Sequence, residues 1–283
     1  MSHHSESTHF LNGKLVKEEN MVVSVRDIGF SRGYAVFDFL ISYPTHRPFM
    51  LSRHIDRLYA SANMIDLVIP WTKAQVSDWV LQTLDANKGP DEKAIKIIVS
   101  GGISNTMFPS SDGPTIAIMI DEHYPFPAQY YENGVGIITV KHTRYAPEAK
   151  TNNYIEGIKQ TQAAHKIAAI EPVYYDDHQV FEGSNSNIFA LIDDKIVTPQ
   201  SNILLGITRN VLLEILSLDL PIEARDFPIE KLRAAQEVFF TGSNKEVMPI
   251  TKIDGHPVGD GNVGEITKEI MKQFREFTLS DKW

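Results

Sequence analysis

The sequence predicts an α/β or α+β protein of two domains. Short β-like runs alternate with amphipathic helical segments along the whole chain, and 283 residues are enough for two separate hydrophobic cores. A proline-containing segment near the middle, His123–Gln129, interrupts this alternation because proline breaks both helices and strand ladders. We therefore predict an N-terminal α/β domain at residues 1–122, a linker at 123–130 and a C-terminal α/β domain at 131–283.

In the N-terminal domain the Asn12-Gly13 dipeptide predicts a hairpin over Phe10–Val16. Apolar residues at helical spacing predict a helix over Arg53–Ile65, and Thr72 is a suitable N-cap for a second helix. Aromatic and β-branched residues predict three strands. These are Tyr34–Tyr43, Ala94–Ser100 and Thr115–Asp121.

In the C-terminal domain the same patterns predict further strands, helices and turns. The predicted strands are Val135–His142 and Glu237–Thr241, and hairpins are predicted across Pro172–Pro199. The predicted helices are Tyr154–Ile170, Ile207–Leu216 and Glu265–Phe277. The segment Gly259–Gly264 has the spacing G-x-G-x-x-G, but only one helix follows it. A dinucleotide site requires a whole βαβ unit there, so we predict a plain turn.

Composition excludes several classes of function. A net charge of -9 leaves no excess of basic side chains for nucleic acid. The absence of cysteine excludes disulfides and thiolate chemistry, and the histidines lack the spacing of a helical metal site. The apolar stretches are too short for a bilayer and the N-terminus has no apolar signal region. We expect a cytoplasmic protein without a membrane or metal partner.

Four segments mix small, polar and charged residues in a way that favours chemistry. Lys150 lies between a predicted strand and a predicted helix, where a partly desolvated amine forms Schiff bases or moves protons. Glu182 opens a string of small residues that ends at Asn187, where backbone approaches a ligand closely and a carboxylate holds a ring nitrogen protonated. The alternatives are a solvated lysine and a surface turn.

The other two segments are candidate anion sites. Leu204–Arg209 places a glycine before a helix start, where free N–H groups and the helix dipole favour an anion. Thr241–Asn244 follows a strand and presents a second set of backbone N–H groups. Simple capped turns are the alternative for both.

These strings in this order resemble fold-type IV enzymes that depend on pyridoxal 5'-phosphate (PLP). The family includes branched-chain and D-amino-acid aminotransferases and aminodeoxychorismate lyase. The most specific signature is Glu182–Asn187, and His54–Leu58 is similar to the family's His-x-x-Arg-Leu string. The resemblance extends from about Phe10 to Phe277 and implies a D-amino-acid aminotransferase-like fold with PLP as cofactor.

The resemblance also implies roles for individual residues. Lys150 forms the Schiff base and then moves the proton between the substrate Cα and the cofactor C4′, while Glu182 pairs with the pyridine nitrogen. Arg57 binds the phosphate, Tyr154 the 3′-oxygen, and Leu204 packs on the ring. Arg209 is expected to be structural. The implied cofactor-binding residues are Arg57, Lys150, Tyr154, Glu182, Ser186, Asn187, Leu204, Gly206, Ile207, Thr208, Gly242, Ser243 and Asn244.

The sequence departs from the family where the substrate carboxylate is bound. Relatives have basic residues in the loop that corresponds to Gly101–Pro109, and this loop has none. We hypothesise that Arg32 supplies the missing contact, with a salt bridge from Arg32 to Asp27 or Asp38 as the alternative. Arg26 is a weaker candidate. The implied substrate-binding residues are Arg32, Phe37, Gly242 and Ser243.

Three functions compete on this sequence. The first is a transaminase acting on a D-amino acid or a branched-chain L-amino acid together with a 2-oxo acid. The second is aminodeoxychorismate lyase, which the Gly101–Pro109 loop disfavours because it lacks basic residues for a multiply anionic substrate. The third is a non-catalytic binding protein of the same fold, which the complete set of Lys150, Glu182 and Arg57 disfavours. The resemblance implies a homodimer.

Overall fold

The computed structural model describes residues 7–43, 46–89, 91–280 and 282–283. The chain divides into two units. The first unit comprises Met1–Tyr124, Ala149–Asn153 and Trp283, and the second comprises Pro125–Glu148 and Tyr154–Lys282.

The first unit contains a six-stranded sheet in which every pairing is antiparallel. Its order is β2-β1-β6-β5-β3-β4. The strands are β1 (Thr8–Leu11), β2 (Lys14–Lys17), β3 (Ala35–Tyr43), β4 (Arg47–Pro48), β5 (Lys93–Ser100) and β6 (Thr115–Glu122). The predicted hairpin at the N-terminus is confirmed, with Phe10 opposite Leu15.

Helices accompany this sheet. They are α1 (Ile28–Arg32), α2 (Leu51–Met64) and α3 (Lys73–Asp85), and a short 3-10 helix spans Glu18–Asn20. Ile55 and Leu58 of α2 and Val80 of α3 are buried with Leu40 of β3 in the core of the unit. Thr72 caps α3 through a capping box with Gln75, as the sequence predicts.

The second unit contains a nine-stranded mixed sheet. Eight strands follow the order β12-β11-β10-β13-β14-β7-β8-β9, and β15 pairs with β14. The strands are β7 (Val135–Lys141), β8 (Ala169–Tyr175), β9 (Val180–Gly183), β10 (Asn187–Ile192), β11 (Lys195–Thr198), β12 (Ile222–Ala224), β13 (Glu237–Gly242), β14 (Glu246–Ile253) and β15 (His256–Pro257). Strand β7 is parallel to both of its neighbours.

Five helices accompany this sheet. They are α4 (Ala128–Asn133), α5 (Ile155–His165), α6 (Ile207–Ile215), α7 (Ile229–Arg233) and α8 (Glu265–Thr278). The segment Gly259–Gly264 between β15 and α8 is a turn, with Gly259 and Gly261 at positive φ, which confirms that prediction. No helix among the described residues has the length and apolar content that crossing a bilayer requires.

Three differences from the sequence expectations concern boundaries. The predicted helix Tyr154–Ile170 is too long, because Ala168 adopts a left-handed φ of 59° and Ala169 already begins β8. Helix α4 begins at Ala128, inside the predicted linker. We expected the C-terminal domain to carry Lys150, but Ala149–Asn153 groups with the first unit because its backbone is bonded to β3.

Candidate active site

Lys150 is held against β3 by its backbone on both sides. The Phe37 N–H donates to the Lys150 carbonyl at 2.9 Å, and the Lys150 N–H donates to Ser61 Oγ at 3.1 Å. Thr151 forms an isolated β-bridge with Val36. The half-buried Lys150 ammonium lies 4.6 Å from the centroid of the Phe37 ring. The predicted catalytic lysine and the predicted substrate-binding Phe37 are therefore neighbours.

A buried charge cluster around Asp38 of β3 orients Arg57. Asp38 accepts from Arg57 Nε at 2.9 Å and from Arg57 Nη2 at 2.7 Å, and His54 Nδ1 lies 2.7 Å from the same carboxylate. Burial alone would raise the pKa of Asp38, but Arg57 and His54 outweigh it and hold that pKa well below its usual range. Asp38 is therefore an anion that fixes the guanidinium plane.

The lowered pKa of His54 in this cluster favours its neutral form. Burial lowers the pKa of His54 and outweighs the opposing effect of Asp38, while the charges on Arg57 and Lys150 lower it further. Because ionised Asp38 only accepts hydrogen bonds, the ring proton of His54 lies on Nδ1. One carboxylate thus orients two side chains of the predicted His-x-x-Arg-Leu string.

Glu182 is buried at the end of β9 and accepts hydrogen bonds from Arg144, Leu204 and Asn187. Arg144 Nη1 bonds one carboxylate oxygen, and the other accepts from the Leu204 N–H at 3.0 Å and from Asn187 Nδ2 at 3.3 Å. Such donors favour an ionised carboxylate. Sequence reasoning missed Arg144, whose only signal was a basic residue six positions before Lys150.

The small residues after Glu182 are required by close packing. A Cβ at Gly183 would collide with the carboxylate of Glu171, and the Gly183 N–H donates to the Ser186 carbonyl at 2.7 Å. Glu171 in turn accepts from the Asn185 N–H at 2.5 Å and from Ser186 Oγ at 3.0 Å. The loop is therefore held by a buried carboxylate. Sequence reasoning missed Glu171, because no local pattern indicated it.

Helix α6 begins where the sequence predicts an anion site. Gly206 is its N-cap residue, and Ile207 and Thr208 open the helix, so their N–H groups have no acceptor within it. A Cβ at Gly206 would collide with Asn187 Oδ1, while Asn187 Nδ2 donates to the Leu204 carbonyl at 2.8 Å. The helix start is therefore joined to the Glu182 segment through Asn187.

Arg209 has the structural surroundings that we expected. Its buried guanidinium donates to Thr198 Oγ1, the Pro199 carbonyl and Asn210 Oδ1 at 2.9 to 3.3 Å. Burial lowers the pKa of Arg209. These bonds fasten α6 to the segment after β11.

The turn that joins β13 to β14 lies beside the Glu182 loop. The Lys245 N–H donates to the Gly242 carbonyl at 3.1 Å and closes a turn that contains Ser243 and Asn244. A Cβ at Gly242 would approach the Asn185 carbonyl at 3.5 Å. Within the described part of the chain, Thr241 Oγ1 is the buried side-chain oxygen that has no hydrogen-bond partner.

Two further predicted residues lie at the edges of this constellation. Tyr154 is half-buried at the N-cap position of α5, and a Cβ at Gly157 would lie 3.5 Å from its ring. Leu204 is buried immediately before the α6 start. The second unit thus brings together Glu182, the 183–187 loop, the α6 start and the 242–245 turn.

Arg32 does not form the salt bridge that we considered as the alternative. It is exposed at the end of α1 and has no ion pair within the described ranges. Asp27 instead accepts from the Gly29 N–H and from Ser100 Oγ, and Asp38 is occupied by its own cluster. Arg26 donates to Asn105 Oδ1 at 2.5 Å, in the loop without basic residues.

Lys96 is a cation that sequence reasoning missed. It lies opposite Phe39 in the β3–β5 ladder, and its ammonium is 5.1 Å from the centroid of the Phe37 ring. Among the described residues it has no salt bridge or hydrogen bond. The only signal in the sequence was a lysine on the less buried face of an otherwise apolar strand. Lys96 and Lys150 therefore both lie within about 5 Å of one ring.

Comparisons with known proteins identify the family of this chain. The model of the family described as amino-transferase class IV matches residues 35–253. A putative branched-chain-amino-acid aminotransferase of Methanocaldococcus jannaschii is 35% identical, covering 97% of this chain and 96% of the relative. A D-alanine aminotransferase of Staphylococcus aureus (strain MW2) is 31% identical, covering 96% and 98%.

Solved structures show the same fold. The branched-chain aminotransferase of the archaeon Thermoproteus uzoniensis, solved with norvaline, has a TM-score of 0.89 at 27% identity and covers 98% of this chain and 96% of that one. Another branched-chain amino acid aminotransferase, solved with pyridoxamine 5'-phosphate, has a TM-score of 0.90 at 24% identity and covers 97% and 94%. The predicted fold-type IV architecture and the predicted transaminase class are confirmed. The chain belongs to the class IV aminotransferase family, whose members are PLP enzymes.

Proposed function

We propose that this aminotransferase binds PLP on Lys150 and exchanges an amino group between an amino acid and a 2-oxo acid. The observation that carries the proposal is the fixed position of Lys150. Its backbone is bonded to Phe37 and Ser61, and its amine lies against the Phe37 ring. A half-buried amine on a backbone that is hydrogen-bonded on both sides suits repeated attack at one carbon.

The residues present suit the chemical groups of PLP. Lys150 offers an amine for an aldehyde, Glu182 a buried anion for a ring nitrogen, and Arg57 a guanidinium for a phosphate. The α6 start adds backbone N–H donors beside Gly206, where a side chain would leave no space. The unpartnered Thr241 Oγ1 is a further polar group near the 242–245 turn.

When bound, PLP supplies an aldehyde that takes the substrate nitrogen and a ring that withdraws electrons from the substrate Cα. Lys150 Nζ would be the group that takes up the proton at the substrate Cα and gives it back. Glu182 would hold a proton at the ring nitrogen, because an ionised carboxylate only accepts hydrogen bonds and this one is buried. Arg57, fixed by Asp38, and the α6 start bind the phosphate.

The substrate carboxylate requires a cation, and two residues are proposed for it. Arg32 is exposed and without an ion pair among the described residues. Lys96 is half-buried and adjacent to the Phe37 ring that Lys150 also contacts. The contact of both amines with the same ring favours Lys96 for an amino acid that is bound at the cofactor.

We extend this proposal to a homodimer in the cytoplasm. Val22, Val25 and Phe30 of the first unit are each more than 70% exposed, as are Met107 and Phe108 in the 101–109 loop. The Asp27–Ile103 bridge joins the two segments, and each of them exposes apolar side chains. Apolar surfaces of this kind mark interfaces, and a second copy of the chain fits the family. Light scattering of the wild type and of Phe108→Glu tests this: the variant is expected to be monomeric.

The reaction is tested with D- and L-amino donors against pyruvate and 2-oxoglutarate. Conversion of the bound cofactor to its amino form by one enantiomer, followed by absorbance, identifies reaction and stereochemistry together. The names of the relatives suggest D-alanine and branched-chain L-amino acids as first donors. Borohydride reduction is expected to trap the cofactor on Lys150 in wild type and in the exposed-lysine control Lys159→Ala. Pyruvate release from aminodeoxychorismate would favour the lyase instead.

A further inference from the structure

A buried ion pair lies behind the candidate site of the second unit. Lys245 Nζ is 3.0 Å from the carboxylate of Glu171, and the two side chains are 5% and 2% exposed. Opposite charges are seldom buried this deeply, because each must be removed from water. The proposed chemistry uses neither side chain, so their burial needs another explanation.

Glu171 is the anchor of one ligand-binding loop. Its carboxylate accepts from the Asn185 N–H, Ser186 Oγ and Lys245 Nζ, and it occupies the space that a side chain at Gly183 would need. These contacts are directed to the 183–187 loop and to Lys245. The position of the loop depends on this carboxylate.

Lys245 is the anchor of the neighbouring turn. Its N–H closes the turn on Gly242, its carbonyl accepts from Tyr131 Oη at 3.1 Å, and its ammonium lies 5.5 Å from the centroid of the Phe126 ring. The backbone and the ammonium are both held, so the preceding residues Ser243 and Asn244 have a fixed orientation.

The geometry points to Lys245 and Glu171 as a positioning pair that keeps the 183–187 loop and the 242–245 turn in register for the cofactor and substrate. This inference rests on the proposed function, because those two segments are its ligand cradles. Neither residue touches the reacting atoms. The pair acts through Ser186, Asn185 and Ser243.

The test compares cofactor affinity in isosteric variants of the full chain. Lys245→Met and Glu171→Gln keep shape and remove charge, and each is expected to raise the dissociation constant of PLP about tenfold. The double variant is expected to match the single variants, because either change already separates the two segments. Lys245→Arg retains the pair and is expected to restore most of the affinity. Lys252→Met, an exposed lysine on β14, is the matched control and is expected to bind like wild type.

Two results overturn the inference and one concerns the proposed function instead. Affinity equal to wild type in Glu171→Gln, whatever its melting temperature, shows that the pair only stabilises the fold. If the loss of PLP affinity in the double variant equals the sum of the losses in the two single variants, the two residues act separately. If Lys245→Met does not fold, Glu171→Gln decides alone, since its amide oxygen still accepts from the loop. A wild type that binds no PLP refutes the proposed function before any variant is compared.

Discussion

The carboxylate of Asp38 accepts two hydrogen bonds from the guanidinium of Arg57, through Nε at 2.9 Å and Nη2 at 2.7 Å. This fork requires the planar geometry that only arginine has. Arg57→Lys is expected to weaken PLP binding by about 1.5–3 kcal/mol, the usual contribution of hydrogen bonds to a charged group. That corresponds to about tenfold to a hundredfold in the dissociation constant, measured by equilibrium dialysis. Arg225→Lys, which changes a partly exposed arginine paired with Glu223, is the control, and an unchanged affinity in Arg57→Lys would remove the phosphate role.

The lowered pKa of the buried His54 predicts how the free energy of unfolding depends on pH. Its folded pKa is lowered, so below about pH 6.5 the unfolded chain binds a proton that the folded chain does not. Stability is therefore expected to fall as pH decreases, by at most about 1.4 kcal/mol per pH unit for one proton. Asp38, whose pKa is also lowered, adds a further loss below about pH 4.

Urea unfolding between pH 7 and pH 5 measures this slope. His54→Gln is expected to flatten it, whereas His165→Gln, which changes an exposed histidine, is expected to leave it in place. If the unfolding free energy has the same pH slope in wild type and His54→Gln, His54 binds its proton as readily in the folded chain as in the unfolded chain, which contradicts the prediction.

The ion pair of Arg144 and Glu182 predicts that substitutions at the two positions are strongly coupled in their effect on stability. Arg144→Met leaves a buried carboxylate without its charged partner, which destabilises by about 3 kcal/mol or less, since the arginine is partly exposed. In the background of Glu182→Gln the same change is expected to have little effect, because no charge remains to compensate. A double-mutant cycle of unfolding free energies gives the coupling energy directly. Additive effects would place the two side chains apart in solution.

Lys96 and Arg32 predict different effects on substrate binding. Lys96→Met is expected to raise the KM of amino donors about tenfold or more with a smaller change in kcat, because one carboxylate contact is lost. Lys88→Met, which changes an exposed lysine of the same unit, is the control. Steady-state kinetics on Arg32→Ala decide the earlier hypothesis: an unchanged KM for every donor removes Arg32 from the site.

We expect an added methyl group to be tolerated at Gly242 and to destabilise the fold at Gly206. A Cβ at Gly206 would collide with Asn187 Oδ1, and Asn187 contacts Glu182 and Leu204. Gly206→Ala is therefore expected to destabilise by about 1–3 kcal/mol, as overpacking does. Gly242→Ala, where the nearest atom is 3.5 Å away, is expected to unfold close to wild type. Thermal unfolding of the two variants without cofactor makes the comparison, and equal melting temperatures would contradict it.

The local patterns predicted most elements because their signals are local. A capping residue placed the start of α3 at Lys73, and an Asn-Gly dipeptide placed the first hairpin. The same reasoning extended α5 as far as Ile170, because an alanine-rich stretch favours helix unless a tertiary contact overrides it. Pairing of β8 with β7 is that contact. The short elements α1 and α7 had no periodicity long enough to detect.

The chemical groups of the site could be identified from the amino-acid order: the lysine amine, the carboxylate at position 182, the arginine at 57 and the glycine before α6. These lie in short strings whose composition is unusual for a core, and family resemblance joined them. The partners of two of these groups became visible in the folded chain, namely Asp38 for Arg57 and Arg144 for Glu182. The pair of Glu171 and Lys245 also appeared there. The two members of each pair lie 19 to 74 residues apart in the chain. A buried charge is stabilised by a partner that is near it in space, and no local pattern in the sequence encodes that proximity.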